Sequence, residues 1–188
     1  MKRLYLFLVL IIFISCGKES TNEPEKKTPT SDSSEYFPLA ESNEWRYYEA
    51  GNQDATRSIR VWQTITINDS LFYLYGNKLF SADTLYQDQW GRVYKRWNGH
   101  TQMWLDFSVD HEGTYQYKLS ESLDYTVTVI KNQSVSYDDQ SFDNCISIAF
   151  DVDALADEEM TYIFAPKVGM VQSIGAWMTT YLATWDLK

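Results

Sequence analysis

The chain has 188 residues and is acidic, with 26 Asp and Glu side chains against 16 Lys and Arg. A formal net charge of −10 without a cluster of basic residues excludes nucleic acid as a partner and argues against an anionic bilayer face, since phosphate groups are bound through such clusters. Neither a G-x-x-x-x-G-K nor a G-x-G-x-x-G run is present, so nucleotide binding through those loops is excluded and we expect no cofactor.

The first fifteen residues have the pattern of a secretory signal peptide. Lys2 and Arg3 precede an apolar run over residues 4–14. This run is too short to cross a hydrocarbon core of about 30 Å, which needs roughly 20 helical residues. A basic start, a short apolar stretch and then small residues predict a cleaved signal instead.

The stretch Phe13-Ile14-Ser15-Cys16 resembles the lipobox of bacterial lipoproteins, with Phe13 in the place of the usual leucine. The resemblance implies that Cys16 becomes the mature N-terminus and carries diacylglycerol and a further acyl chain, which together hold a protein stably on a membrane. Gly17 follows, and the lipoprotein sorting rule would not retain such a protein in the inner membrane. We therefore expect a lipid-anchored envelope protein at the outer membrane, on its periplasmic or its surface face.

Residues 18–35 contain no large apolar side chain, so this segment cannot bury enough surface to offset its ordering entropy. The sequence predicts a signal peptide at 1–15, the lipidated Cys16 with a flexible tether at 16–35, and one domain at 36–188.

Alternation of apolar and polar side chains predicts that this domain is all-β and antiparallel. Over residues 58–67, Ile59, Val61 and Ile65 alternate with polar residues, whereas Trp62 breaks the pattern. The turn Asn68-Asp69 then predicts a hairpin. Short strands at intervals of 8–12 residues favour a curved meander, a sandwich or a half-barrel of about ten strands, with no helix longer than one turn. The predicted strands are 45–49, 58–67, 70–75, 91–97, 102–107, 114–119, 125–137, 142–152, 160–164, 170–174 and 178–186.

Three motifs resemble those of uncharacterised lipoproteins, many of them from the Bacteroidota. Residues 36–45 resemble an opening YFPL…GN.W.Y motif, with Ser42 in place of glycine, and residues 105–115 are similar to a YDFS…GDTW segment. Residues 164–171 resemble an FAPGVGLV turn in which Lys167 replaces the first glycine. The resemblance implies fold and compartment, and it implies no activity.

The sequence offers little for catalysis or metal binding, and we expect no enzyme. A G-x-S-x-G nucleophile motif is absent, and Cys145 lies in a strand-like apolar run that predicts a buried, inert thiol. Four possible metal ligands occur within seven residues, and a solvated hairpin tip explains them as well as a metal site does. These weak candidates are Asp106, Asp110, His111 and Glu112.

Aromatic residues are abundant, with seven Trp, fourteen Tyr and nine Phe. Trp62, Trp97 and Trp104 lie at turn edges or on polar faces, so they are candidate contacts of a non-catalytic binding module for a glycan, a peptide or a protein. The alternative is a carrier or chaperone that holds lipid or lipoprotein acyl chains in an apolar cavity, and a metal- or carboxylate-dependent hydrolase is a distant third. Outward rings favour the first hypothesis, and a hollow interior favours the second.

Overall fold

The structure of the chain is a computed structural model that describes residues 33–188 except 121–122, 153–154 and 156–158. The predicted signal peptide, Cys16 and the tether up to residue 32 lie outside the described residues. Where the structure describes the chain, it contains no helix long and apolar enough to cross a membrane.

The described residues form one antiparallel sheet of twelve strands, which confirms the all-β prediction. Two single 3₁₀ turns, Ser33–Tyr36 and Leu79–Ser81, accompany it. The spatial order is β6-β5-β4-β3-β2-β1-β12-β11-β10-β9-β8-β7, so each half of the chain is a meander and the first and last strands join the halves. The strands are β1 Glu44–Glu49, β2 Asn52–Ile67, β3 Ser70–Gly76, β4 Asp83–Gln87, β5 Val93–Trp97, β6 His100–Leu105, β7 Gly113–Ser120, β8 Leu123–Tyr137, β9 Gln140–Asp151, β10 Met160–Ala165, β11 Gly169–Gly175 and β12 Thr179–Asp186.

The sheet is strongly curved into a nearly closed barrel, so of the three predicted architectures the half-barrel describes it best, and we keep that name. The rings of Trp104 in β6 and Tyr162 in β10 lie 6.0 Å apart, although the two strands are eight positions apart in the sheet order. At about 4.8 Å per strand, a flat sheet would separate them by roughly 38 Å. The edges also approach each other, because the Tyr115 hydroxyl in β7 donates to the Trp104 carbonyl at 2.8 Å.

The alternating strand directions divide the turns between two ends of the half-barrel. Odd-numbered strands end, and even-numbered strands begin, at one end, which we call the open end. The turns after the even-numbered strands lie at the other, the closed end, except the turn after β8, whose Asp138 accepts hydrogen bonds from Tyr48 and from Gln53 beside the β1–β2 turn. The N-terminal segment crosses the closed end. Its Tyr36 ring stacks on Phe107 at 5.6 Å, and the Trp45 indole donates to the Val168 carbonyl at 2.6 Å.

The packing of the N-terminal segment shows that the domain begins before residue 36, where the sequence predicts its start. Ser33 is buried, and the Lys167 amide donates to the Glu35 carbonyl at 2.8 Å. An ideal Cβ built on Gly91 would lie only 2.5 Å from the Ser33 carbonyl carbon, so the two segments touch. The last three residues of the predicted tether, 33–35, are therefore part of the β domain, because the closed end supplies them with a packing surface.

The sequence predicts eleven of the twelve strands. Several turns between them contain residues with positive φ. Asn68 and Asp69 both have positive φ, 48° and 61°, as a two-residue type I′ hairpin requires. Ser42 and Lys167, which occupy glycine positions of the resembled motifs, also have positive φ, 76° and 64°. The backbone therefore keeps the left-handed conformation at both positions without the glycine that usually favours it.

The distal half of the β8–β9 hairpin covers a gap between two other strands. Pairing of β11 with β12 runs from Gln172↔Tyr181 to Ile174↔Thr179 and does not continue toward the closed end. The Tyr137 hydroxyl lies in that gap, at 2.9 Å from the Val171 carbonyl and 3.2 Å from the Leu182 carbonyl. The long β8 strand thus pairs within the chain, with β7 and β9, and also caps the split in the sheet.

Candidate functional site

A cavity of about 290 Å³ lies inside the half-barrel, between strands of both halves of the chain. Its wall is mostly aromatic and sulfur-containing, with a small group of charged side chains. The rings come from Phe37, Tyr47, Tyr48, Tyr75, Trp104, Tyr162 and Phe164, and the other lining residues are Glu49, Arg57, Ile59, Asp83, Lys95, Met160, Met170, Ser173, Met178 and Thr180.

The aromatic part of the wall is rigid because its rings pack against one another. Phe37 contacts Trp104 at 6.1 Å and Phe164 at 5.8 Å between centroids, both edge to face. Tyr162 in turn meets Trp104 edge to face. Such pairs add to the stabilisation that comes from burial alone, so this wall is preformed. Phe37 belongs to the N-terminal segment, which therefore supplies the floor of the cavity.

The charged part of the wall is a paired lysine. The Lys95 ammonium lies 3.1 Å from an Asp83 carboxylate oxygen and 4.1 Å from the centre of the Trp104 ring. The ring face attracts a cation, and both partners of the ion pair remain partly exposed to solvent. The Lys95 ammonium can therefore bind the carboxylate of a ligand in place of the Asp83 carboxylate.

Two tyrosines of the cavity wall, the buried Tyr75 and the partly buried Tyr162, have raised pKa values. Burial raises the pKa of Tyr162 to about 12, and it also raises the pKa of Tyr75 above its ordinary value. Both hydroxyls are protonated at neutral pH, as tyrosine hydroxyls ordinarily are, so they can donate a hydrogen bond without adding negative charge to the wall.

Methionines line the part of the wall nearest the open end. Met160 begins β10, Met178 precedes β12, and both are partly exposed, whereas Met170 lies deeper. A methionine side chain is unbranched and polarisable, so it adapts to ligands of irregular shape. The cavity thus combines a rigid aromatic floor with an adaptable mouth, which suits an apolar ligand that carries one polar end.

The three candidate tryptophans occupy three different environments and do not form one surface. Trp104 faces the cavity. Trp97 is 76% exposed at the end of β5. Trp62 is half-buried, and its indole donates to the Gly76 carbonyl at 2.9 Å. Trp62 breaks the alternation of β2 because the register shifts between Val61 and Gln63, where it is the extra residue of a bulge.

The candidate metal ligands have other partners. Asp106 accepts hydrogen bonds from the Ser108 amide at 2.9 Å and hydroxyl at 2.6 Å, and the Lys131 amide donates to His111 Nδ1 at 3.0 Å. Glu112 and Asp110 lie exposed in the same closed-end loop. Within the described part of the chain, no three His, Cys, Asp or Glu side chains come together as a metal would require.

Cys145 is a buried free thiol, as predicted. Burial raises its pKa to about 11, so the thiol stays protonated at neutral pH and is a poor nucleophile. Its Sγ lies 3.4 Å from the Phe142 carbonyl, inside the bend of the β8–β9 hairpin. The residue therefore fills space in the core and does not take part in a reactive site.

The chain is similar to two solved structures. One is a protein from Bacteroides fragilis described as exported and as having a YmcC-like fold; it is 10% identical, and the match covers 81% of this chain and 99% of that chain at a TM-score of 0.41. The other is a protein from Parabacteroides distasonis described as a lipoprotein; it is 15% identical, with the same coverage and TM-score. No protein-family model and no curated protein matches the chain.

Proposed function

We propose that the chain is a non-catalytic binding protein of the cell envelope, anchored through Cys16, that holds one acyl chain or an apolar ligand of similar size. The observation that carries this proposal is the cavity inside the half-barrel, with its aromatic floor and its Lys95–Asp83 pair. Trp104 points into this cavity, which favours a carrier over a module that binds through outward rings.

The volume of the cavity limits the size of the ligand. About 290 Å³ corresponds to roughly ten water molecules at the ~30 Å³ that each occupies in the liquid. This is near the lower end of the roughly 300–1,000 Å³ of small-molecule sites. The space therefore suits a medium-length chain, or the distal part of a longer one, better than both chains of a phospholipid.

The charges of the wall orient the ligand. Lys95 and Arg57 provide two cations at the cavity, and Asp83 and Glu49 provide two anions. Of these, Lys95 is held in place by Asp83 and by the Trp104 ring. A fatty-acid carboxylate can take the place of Asp83 on the Lys95 ammonium while its chain lies against the rings and methionines.

The test is binding of a dansyl-labelled undecanoic acid to the chain from residue 17 onward, followed by dansyl fluorescence and by competition with decanoate. Ser173→Phe puts a large ring into the cavity, because Ser173 lines it. Gln172→Phe puts the same ring on the opposite face of β11, since neighbouring residues of a strand alternate in direction. We expect at least about tenfold weaker binding for Ser173→Phe alone, because a filled cavity leaves no room for the chain. Equal affinity in both variants would contradict the proposal.

A second comparison tests the role of the lysine. Lys95→Met keeps an unbranched side chain against Trp104 and removes the charge. Decanoate should then bind less tightly, whereas decanol, which has no charge to pair, should bind as before. An equal loss for both ligands would mean that Lys95 shapes the cavity and does not recognise an acid.

A further inference from the structure

The two ends of the half-barrel differ in the chemistry of their tips. Among the described residues, eleven large apolar side chains are exposed, and nine of them lie in the turns of the open end or beside them. Hairpin tips are ordinarily polar or glycine-rich. The closed end follows this rule, with the turn Asn68-Asp69 and the loop Asp110-His111-Glu112.

The open-end tips project single large side chains away from the protein. Phe80 in the β3–β4 connection is 87% exposed, and Trp177 in the β11–β12 turn is 86% exposed. Their neighbours Leu79 and Met178 are also exposed, as is Trp97 beside the β5–β6 turn. We call this set the apolar rim: Leu79, Phe80, Trp97, Met160, Trp177 and Met178.

The apolar rim shares two residues with the mouth of the cavity. Met160 and Met178 belong to both, since they line the cavity and are also exposed at the open end. Any surface that covers the rim therefore also covers the route by which an apolar ligand would enter. Nine of the eleven exposed apolar side chains lie at this end, and this bias distinguishes them from single apolar residues scattered evenly over a surface.

We infer that the apolar rim docks on the surface of a lipid bilayer, with Trp177 and Phe80 entering the interfacial region. Trp and Phe at separate, projecting tips suit a fluid interface, into which each ring can insert alone. The Lys78 ammonium lies 5.6 Å from the centre of the Phe80 ring, where it can remain at head-group level while the ring inserts.

The position of the N-terminus allows this docking. Ser33 lies at the closed end, opposite the rim, and Cys16 precedes it by seventeen residues. A stretch of that length spans at most about 60 Å. The predicted anchor at Cys16 would therefore let the domain turn its open end to the membrane that holds it. The same anchor would keep the rim at a high local concentration near lipid, so a weak contact is sufficient.

The acidity of the chain decides which lipids the rim prefers. A net charge of −10 repels an anionic surface, so contact must come from apolar insertion and not from charge. Docking on zwitterionic vesicles should accordingly change little with salt, because screening acts on charge contacts alone. This inference does not depend on what occupies the cavity.

The experiment is flotation of the unlipidated chain, from residue 17 onward, with vesicles of phosphatidylcholine. The double variant Trp177→Ser/Phe80→Ser removes the two most exposed rings of the rim. Trp185→Ser, with Leu71→Ser, is the matched control, because these exposed side chains lie near the closed end. We expect the double variant to lose about tenfold or more in vesicle partitioning, since it removes two exposed apolar side chains that docking would bury, and the control to keep the parent's value.

Three results would overturn the inference. They are no flotation of the parent chain, an equal loss in the control variant, or sedimentation showing that the same two rings hold a dimer in the absence of lipid. The far-ultraviolet circular dichroism and melting temperature of each variant establish that it is folded. Because dansyl-undecanoate binding is measured without vesicles, failure of rim docking is distinguishable from failure of the cavity proposal.

Discussion

Replacing Gly91 by alanine should destabilise the domain more than the same change at Gly99. Both glycines have positive φ, 80° and 81°, so alanine meets the same backbone penalty at each, about 1–2 kcal/mol. At Gly99 the new Cβ would meet nothing within 4 Å. At Gly91 it would lie 2.5 Å from the Ser33 carbonyl carbon and 2.6 Å from the Ser34 nitrogen, both of which are backbone atoms.

The expected difference between the two variants follows from this contact. Forcing a methyl group into a packed site typically costs a further 1–3 kcal/mol or so, and here the 3₁₀ turn Ser33–Tyr36 must shift to relieve it. Urea unfolding followed by tryptophan fluorescence measures the loss for each variant. In a chain that begins at Tyr36, the contact is gone and the two variants should become equal. Equal losses in the longer chain would refute the packing of the N-terminal segment on the closed end.

Three further predictions concern stability and reactivity. Lys167→Gly and Ser42→Gly should each raise the free energy of unfolding by up to about 1 kcal/mol, measured by urea unfolding, because they relieve positive φ at a non-glycine residue. The Cys145 thiol should react with a disulfide reagent at pH 8 only slowly until the chain unfolds, since burial raises its pKa to about 11; fast labelling of folded protein would contradict its burial. Burial also raises the pKa of Tyr48 and Tyr162 to about 12, above the value of about 10 in an unfolded chain, so their contribution to stability is complete below pH ~10 and is lost as the pH rises toward 12. Part of the tyrosinate absorbance should therefore appear only together with alkaline unfolding, and complete ionisation of the tyrosines well before unfolding would count against this prediction.

Most of the sheet could be predicted because apolar and polar side chains alternate along its strands. Val61 is fully buried in β2 as the pattern requires, and Trp62 departs from it only at a bulge. The missed strand, β4, has only five residues, of which Leu85 alone is buried, so no alternation was evident. The 33–35 segment was missed because its residues are polar and its order comes from contacts with Gly91 and Lys167, which are far away in sequence.

The candidate site was harder to predict, because the cavity forms only where the curved sheet brings distant strands together. Trp104 was selected from the sequence, although for an outward surface, and only the bending of the sheet brings it to Tyr162. No sequence motif indicates a role for Lys95, since its partners Asp83 and Trp104 lie on the neighbouring strands β4 and β6. Trp177 and Phe80 become informative only when the topology places both at one end of the sheet.

Native mass spectrometry of the chain from residue 17 onward, incubated with palmitate and separately with a two-chain phospholipid, tests the central proposal most directly. We expect one bound palmitate on the parent chain and on Gln172→Phe, none on Ser173→Phe, and little retained phospholipid. Palmitate retained equally by Ser173→Phe, or no adduct on the parent chain, would contradict the cavity as the binding site.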